Sequence, residues 1–284
     1  MVSFKEVNSR IKRQRVAIII RFSHIHETYH AFRTGKGESL EDRIAKVLSD
    51  ERLQMRFAYF ENVCLPSLDA QINKNFVVVL RCSDLLPEKW KKKLHELVSS
   101  RSYIYTAMLP LDEFPIPYEK RLLQDQILPV DADTVITARI DDDDAVADDY
   151  VEKLSKYLRP AFQRHAISFP NGFFMETIGD GPRKKFKLAP VRKINIAIGL
   201  AFVSSRNLGN TILSFPVNHR VLDTAVPVII DSTKPMFIVT CHASNDTNRS
   251  ELPEMLSASE INRSQLVKQL GNRLTHLNFD QIPG

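Results

Sequence analysis

The 284-residue sequence predicts an α/β fold with a mostly parallel central sheet flanked by helices, followed by an irregular, mixed α/β second half. Two observations lead to this prediction. Up to about residue 150, short apolar runs rich in β-branched and aromatic residues alternate with segments of helical periodicity, which is typical of strand–helix units in a parallel sheet. Beyond that point, short strand-like runs are separated by turn residues.

The first half contains four predicted strands, at 16–22, 76–81, 103–108 and 134–140. Helices are expected between them at 50–63, 87–99 and 118–128. In the second of these helices, apolar residues such as Trp90 and Leu94 recur at helical spacing, and Pro87 lies near the first turn. This order of elements predicts that the strands lie side by side with helices packed against them.

The second half is expected to begin with a helix to about residue 158. Further strands are predicted at 186–191, 196–204 and 236–241, and a C-terminal helix is predicted within 257–277. The dipeptide Asn171-Gly172 stands between two apolar runs, which predicts a tight β-hairpin. A second turn is expected at 179–182, where two glycines flank an aspartate.

The composition predicts one domain over residues 1–284, divided into a nucleotide-binding type of first half (1–150) and an irregular second half (151–284). Apolar residues make up 43% of the chain and charged residues 26%, with a net charge of +5, as in ordinary globular proteins. The longest apolar runs are too short to cross a bilayer, and the first residues lack an apolar leader, so a cytoplasmic protein is expected. Three scattered cysteines are expected to be reduced, mostly buried thiols.

Glycine is scarce, at 9 of 284 residues, and this excludes several nucleotide sites that depend on it. The first predicted strand is followed by Ser23-His-Ile-His26 instead of a Gly-x-Gly-x-x-Gly turn, so the sequence lacks a dinucleotide-binding fingerprint. The segment 34–39 lacks the spacing of a phosphate-binding P-loop. His24 and His26 are expected near a nucleotide, not as zinc ligands.

An acidic run follows the fourth predicted strand directly, as Asp141-Asp-Asp-Asp144. In an open α/β sheet, ligands bind beyond the carboxyl ends of the strands, so these carboxylates are expected to face the active-site crevice. Like charges packed together are stabilised by a cation, and oxygen ligands suit Mg²⁺ or Mn²⁺. The alternative is that the run only caps a helix N-terminus. The spacing excludes an EF-hand loop and an Asp-x-Asp-x-Thr phosphatase.

Several blocks of the sequence together resemble one family. They are Arg21-Phe22-Ser23, the segment 59–68 with Gln71, Arg139-Ile-Asp-Asp-Asp-Asp-Ala145, and Cys241-His-Ala-Ser-Asn245. The acidic block is similar to the Asp-x-Asp region of GT-A-type glycosyltransferases, and the whole set resembles the bacterial rhamnosyltransferase family over about residues 16–245. The resemblance implies a GT-A-like domain that uses a nucleoside diphosphate sugar and Mn²⁺ or Mg²⁺.

The same resemblance implies roles for individual residues. Asp143 is expected to bind the metal directly with Asp144 in support, and His242 matches a late histidine ligand, although a histidine hydrogen-bonded at a strand end is an equal alternative. Asp141 is expected near the nucleotide ribose. Arginine is suited to phosphate, and Arg139 could equally pair with the acidic run. The residues expected at the nucleotide sugar are Arg21, Ser23, Arg139, Asp141 and Asp142.

An inverting sugar transfer also needs a base for the acceptor hydroxyl. Asp223 is the favoured candidate, with Glu176 and Asp180 as alternatives. The basic run 183–187 either contacts an anionic acceptor, such as a lipid-linked diphosphate glycan at the inner membrane surface, or is a solvated loop.

Two other functions are considered. A nucleotidyltransferase also uses carboxylates at a strand end, but it usually has a glycine-rich basic loop after the first strand, which this sequence lacks. A nucleic-acid-binding protein would suit the pI near 9, but the basic residues are dispersed and no aromatic-basic motif accompanies them. We therefore expect a glycosyltransferase with a glycan or lipid-linked acceptor and without a nucleic-acid partner.

Overall fold

The computed structural model describes residues 3–9, 11–28, 37–243, 245 and 252–284. The strands are β1 (Val16–Phe22), β2 (Val77–Ser83), β3 (Ile104–Leu109), β4 (Thr134–Asp141), β5 (Ala145–Val146), β6 (Ala166–Ser168), β7 (Asn171–Ile178), β8 (Lys185–Arg192), β9 (Ala201–Ser205), β10 (Val228–Ile230), β11 (Phe237–Cys241) and β12 (Glu260–Ile261). The helices are α1 (Phe4–Asn8), α2 (Leu40–Val47), α3 (Asp50–Tyr59), α4 (Leu65–Asp69), α5 (Glu88–Val98), α6 (Pro115–Leu122), α7 (Tyr150–Ser155), α8 (Pro253–Leu256) and α9 (Arg263–Leu270).

The larger sheet has seven strands in the order β10-β6-β9-β4-β1-β2-β3. Its pairs are parallel except those that β9 forms with β4 and with β6. This confirms the predicted mostly parallel sheet and its four first-half strands to within two residues at each end. β1 and β2 are interior strands of the sheet and are almost wholly buried, which is why both read as apolar runs.

The smaller sheet has five strands in the order β12-β8-β7-β11-β5. Its long hairpin joins β7 to β8 through the predicted turn at 179–182. The hairpin predicted at Asn171-Gly172 is wrong, because these two residues begin β7, and β6 before them belongs to the other sheet. Neither residue has the positive φ of a type I′ turn, and Gly172 instead lies against the ring of Phe237.

Several predicted helices differ in their bounds from the observed ones. The helix predicted at 118–128 begins earlier, as α6 (Pro115–Leu122), and continues as a π-helical turn at Leu123–Ile127. The region 50–63 is helical, but its last turn is a π-helical turn at Phe60–Cys64 that continues into α4. The C-terminal helix occupies only Arg263–Leu270 of the predicted span 257–277, and it ends at Gly271, which has a φ of 67°. The strand predicted at 196–204 begins later, at Ala201.

The two predicted halves of the chain share one sheet. β6, β9 and β10 from the second half extend the sheet that β1 to β4 form. The largest buried apolar cluster contains residues of both sheets. All three cysteines are buried thiols that form no disulfide bond, as predicted, and burial raises the pKa of the Cys82 thiol. In the part of the chain that the structure describes, no helix has the length and apolar character needed to span a bilayer.

Candidate active site

The predicted site residues converge where β1 and β4 end. These strands are parallel neighbours, and their register places Arg21 directly opposite Asp141. The strands that follow β1 in the chain, β2 and β3, lie on one side of it, whereas β4 lies on the other side, so the strand order reverses between β1 and β4. Ligands of open α/β sheets bind in the crevice at such a point, beyond the carboxyl ends of the strands. The acidic run therefore lies at the expected edge of the sheet.

Asp141 is the most exposed of the four aspartates, and two arginines converge on it. Arg21 Nη2 and Arg139 Nη2 lie 3.4 Å and 3.3 Å from Asp141 Oδ1. Two guanidinium groups therefore lie against one carboxylate at this corner. Burial, followed by the charge of Arg139, lowers the pKa of the nearby His219 to about 4. The corner can accept an anion such as a diphosphate.

Asp142 has a different environment from the one expected for a nucleotide contact. Its side chain is fully buried and is held by Arg56 of α3, whose Nε donates to Asp142 Oδ2 over 2.9 Å and whose Nη2 contacts Oδ1. Arg56 Nη1 also donates to Asp143 Oδ2 over 2.9 Å. The structure therefore places Asp142 in an internal ion pair, and it does not bring this side chain to the surface.

Asp143 and His242 come together, although they lie 99 positions apart in the sequence. Asp143 Oδ2 lies 3.1 Å from His242 Nε2 and 3.0 Å from Asn245 Nδ2. The orientation of the Asn245 amide is fixed because its Oδ1 accepts the backbone N–H of His242 over 2.8 Å. The ring of Tyr59 stacks on the His242 ring at 4.0 Å. These contacts hold a carboxylate oxygen and an imidazole nitrogen at one point.

Asp144 joins the acidic run to the smaller sheet. Its Oδ1 accepts the backbone N–H of Thr240 over 2.9 Å, and Thr240 Oγ1 donates to the backbone oxygen of Asp143 over 2.7 Å. β11 therefore fixes both the backbone and one side chain of the run. This geometry explains how β11 presents His242 to Asp143, and it gives Asp144 a structural role.

The loop after β1 contains buried polar groups without a partner. Ser23 has a positive φ of 47°, and its buried hydroxyl has no hydrogen bond within the described residues. Both ring nitrogens of His24 also lack a partner there, and burial followed by the charge of Arg81 lowers the pKa of His24 to about 3. Unpaired buried polar groups are costly, so these two side chains are candidates for ligand contacts. The site residues Arg21, Ser23, Arg139 and Asp141 thus share one corner.

Asp223 lies on a 3₁₀ turn (His219–Thr224) and is exposed. Its Oδ1 accepts a hydrogen bond from Asn195 Nδ2 over 2.9 Å. Among the described residues it makes no hydrogen bond or ion pair with the aspartate run. The structure thus brings the turn's histidine, His219, near Asp141, but it shows no direct link between Asp223 and the acidic site.

Most lysines of the basic run 183–187 bond within the protein. Lys184 Nζ donates to the backbone oxygens of Asp280 and Ile282, and Lys185 pairs with Glu260 at 3.1 Å. Lys187 Nζ lies 3.8 Å from Glu176. These pairings reduce the charge available to an anionic acceptor or membrane surface.

A pocket of about 450 Å³ opens beside His242. Its lining includes Met55, Glu176, Thr177, His242 and Asn245. Another pocket of about 450 Å³ lies at the amino ends of β1, β2 and β4, opposite the acidic run, and none of the predicted site residues lines it. Among the described residues, no group of three or more histidine, cysteine or acidic side chains is arranged to hold a metal ion.

Sequence reasoning did not identify Arg56, Tyr59 or Asn245 as site residues. Tyr59 and Asn245 belong to the blocks that resemble the rhamnosyltransferase family, so a signal existed for both. Arg56 had none, because a basic residue in an amphipathic helix usually points to solvent. Only the packing of α3 against the end of β4 shows that it is buried.

A family model described as "Putative rhamnosyl transferase" matches residues 15–253. The chain belongs to this family. The matched region of the rhamnosyl transferase family includes β1, the acidic run and His242. The family description is that of a glycosyltransferase, as the sequence predicted. No curated protein matches this family member in sequence.

Solved structures show distant similarity to this rhamnosyl transferase family member. S. aureus TarS 1–349 in complex with UDP-GlcNAc is 11% identical, with 86% of this chain and 61% of that chain covered and a TM-score of 0.38. S. aureus TarS 1–349 without a named ligand is 12% identical, with 80% of this chain and 60% of that chain covered and a TM-score of 0.40. A putative glucose-1-phosphate thymidylyltransferase from Bacillus anthracis in complex with a sucrose is 8% identical, with 78% of this chain and 88% of that chain covered and a TM-score of 0.37. The chain thus spans about three fifths of the TarS chains.

Proposed function

We propose that the chain is a metal-dependent glycosyltransferase that moves a sugar from a nucleoside diphosphate sugar to a glycan or lipid-linked acceptor. The family description suggests rhamnose as the sugar. The observation that supports this function best is the 3.1 Å approach of Asp143 Oδ2 to His242 Nε2, next to the arginine-rich corner at Arg21 and Arg139. One site would then hold a metal and a diphosphate side by side.

Asp143 and His242 are the residues that would hold a Mn²⁺ or Mg²⁺ ion, because their donor atoms lie 3.1 Å apart and can bind one ion together. The Asn245 amide nitrogen, which lies 3.0 Å from both donor atoms, would have to move aside. Two protein ligands are enough, because Mg²⁺ in particular is usually bound by one or two carboxylates together with substrate phosphates and water. When bound, the metal supplies positive charge that stabilises the departing diphosphate.

The arginine corner supports the diphosphate part of the proposal. Arg21 and Arg139 bind and orient the diphosphate, and Asp141 between them keeps both side chains directed into the crevice. Ser23, whose buried hydroxyl has no partner among the described residues, donates to the nucleotide. Asp142 acts indirectly, because its ion pair with Arg56 fixes the backbone that presents Asp141 and Asp143.

Thermal stability with added nucleotides tests this function. We expect one of UDP, GDP, dTDP or CDP to raise the melting temperature only when Mn²⁺ is present, because a ligand that binds only the folded state stabilises it by mass action. Asp143→Asn should abolish the metal-dependent part of the shift. Asp112→Asn, an exposed aspartate outside the site, is the matched control and should behave as wild type.

Product analysis then separates the proposed reaction from the nucleotidyltransferase alternative. A glycosyltransferase releases a nucleoside diphosphate from its sugar donor, whereas a nucleotidyltransferase forming that donor releases pyrophosphate. Absence of any metal-dependent nucleotide shift in the wild-type protein, or an unchanged shift in Asp143→Asn, would contradict the role given to Asp143.

A further inference from the structure

We propose that the pocket beside His242 is the acceptor subsite and that Glu176 is the catalytic base that takes the acceptor hydroxyl proton. This inference rests on the proposed glycosyltransferase function. It differs from the sequence-based preference for Asp223, and it assigns the substrate class of the pocket as a glycan hydroxyl.

The position of Glu176 follows from the pairing of β7 with β11. These strands are parallel, and the register places Glu176 beside Cys241, the residue before His242. The end of β7 therefore carries a carboxylate to the same sheet edge at which β11 presents His242 to Asp143.

The pocket has the size and lining of a sugar subsite. Its volume of about 450 Å³ is within the usual range of ligand pockets, roughly 300–1,000 Å³. Polar groups of Glu176 and Thr177 can bond sugar hydroxyls, and the Met55 side chain offers an apolar surface to the ring carbons. A sugar bound there would lie next to the proposed metal and diphosphate.

Among the described residues that line the pocket, Glu176 carries the one acidic side chain. The aspartates of the acidic run do not line it. Glu176 lines the pocket with its side chain 22% exposed, and Lys187 Nζ lies 3.8 Å from its Oε2.

The reaction step follows from this geometry. The acceptor oxygen forms a bond to the anomeric carbon of the donor as the bond from that carbon to the diphosphate oxygen breaks. The electron pair of the broken bond goes to the diphosphate, and the hydroxyl proton goes to Glu176, which later releases it to water. A single displacement of this kind inverts the anomeric configuration.

Azide provides a test that does not require the natural acceptor. The thermal-shift test identifies the nucleoside diphosphate that the protein binds. The sugar derivative of that nucleoside diphosphate is incubated with enzyme and Mn²⁺, and either water or sodium azide serves as the acceptor. Glu176→Ala and Glu176→Gln should slow nucleoside diphosphate release to water by about 10²–10⁴-fold. Azide attacks without losing a proton, so it should restore release by Glu176→Ala at least tenfold and yield a glycosyl azide of inverted configuration.

The controls separate this inference from the proposed function. Glu260→Ala removes an exposed glutamate of the same sheet and should match wild type with both acceptors. Both Glu176 variants should keep the metal-dependent thermal shift, which shows that donor binding is intact. Azide rescue of Asp223→Ala but not of Glu176→Ala, a retained configuration, or full activity of Glu176→Gln would overturn the inference. A wild-type protein that binds no nucleotide would instead refute the proposed function, and this inference with it.

Discussion

Arg56 balances the charge of the buried acidic run at the scale of single residues. It forms two contacts with Asp142 and one with Asp143, and all three side chains are almost completely buried. Removing one partner of a buried pair leaves an uncompensated charge in a medium of low dielectric constant. We therefore expect Arg56→Met to lower the free energy of unfolding by about 3–5 kcal/mol, measured by urea denaturation.

A surface pair provides the comparison for this prediction. Arg121 forms an ion pair with Glu113 at 2.7 Å, but its side chain is 60% exposed. Arg121→Met should cost about 0–1 kcal/mol, since water screens such pairs. Arg56→Lys should fall between the two, because an ammonium group cannot reproduce the forked contact with Asp142. Equal effects of the Arg56 and Arg121 substitutions to methionine would contradict the structural role of Arg56.

The buried His24 predicts a pH dependence of stability. Burial lowers its pKa from 6.5 to about 3, so the folded protein keeps this ring neutral while the unfolded chain protonates it near pH 6.5. Between these values the unfolded state binds more protons, and stability falls as the pH falls, by at most about 1.4 kcal/mol per pH unit. His24→Gln should show a shallower loss of stability between pH 6.5 and 4.

The measurement is chemical denaturation at several pH values in that window. His276→Gln, which changes a histidine that lies at the surface, is the control and should retain the wild-type slope. A slope in His24→Gln as steep as in wild type would show that His24 does not contribute to the acid sensitivity.

At the scale of elements, Gly172 fixes how β7 meets β11. A Cβ atom at this position would lie 2.4 Å from ring carbons of Phe237, so the strand and the ring must separate. We expect Gly172→Ala to cost about 1–3 kcal/mol in thermal or chemical unfolding, as overpacking of a core usually does. Adding Phe237→Leu should recover part of the loss because the smaller side chain makes room.

Gly209→Ala is the matched control, because no atom lies within 4 Å of the point that a Cβ atom would occupy there. It should change stability by no more than about 0.5 kcal/mol. If Gly172→Ala were equally neutral, the close contact between β7 and Phe237 would be wrong, and with it the explanation of why the predicted hairpin does not form.

At the scale of the whole molecule, the shared core predicts one unfolding transition. The largest apolar cluster includes residues of both sheets, and strands of the second half complete the larger sheet. The single tryptophan, Trp90, lies on α5 in the first half. Its fluorescence and the far-UV circular dichroism of the full chain should therefore give coincident denaturation curves. Two separate midpoints would show that the halves unfold independently.

The first half could be predicted from the sequence because its signals are local. β1 is buried on both faces and reads as an unbroken apolar run, and the acidic run follows β4 directly. The family resemblance added the late histidine, His242. The predicted and observed bounds of elements differ where long-range contacts decide them, as at the π-helical turn Phe60–Cys64 and at the start of β9.

The second half could not be predicted in the same way. The Asn171-Gly172 signal is valid for an isolated hairpin, but the contact between Gly172 and Phe237 overrides it. Asp223 was preferred as the base from its place in the chain alone. The pairing of β7 with β11, which sets Glu176 beside the pocket, depends on strands about 60 residues apart.

Periodicity and adjacency along the chain specify the central strands, the carboxylates at the end of β4 and the lack of glycine motifs for nucleotide loops. The differences among the four aspartates come only from contacts between distant parts of the chain. Arg56 holds Asp142, His242 and Asn245 reach Asp143, Thr240 fixes Asp144, and Arg21 with Arg139 surrounds Asp141. Identical side chains acquire different roles because burial and charged neighbours, which no local pattern records, set the environment of each one.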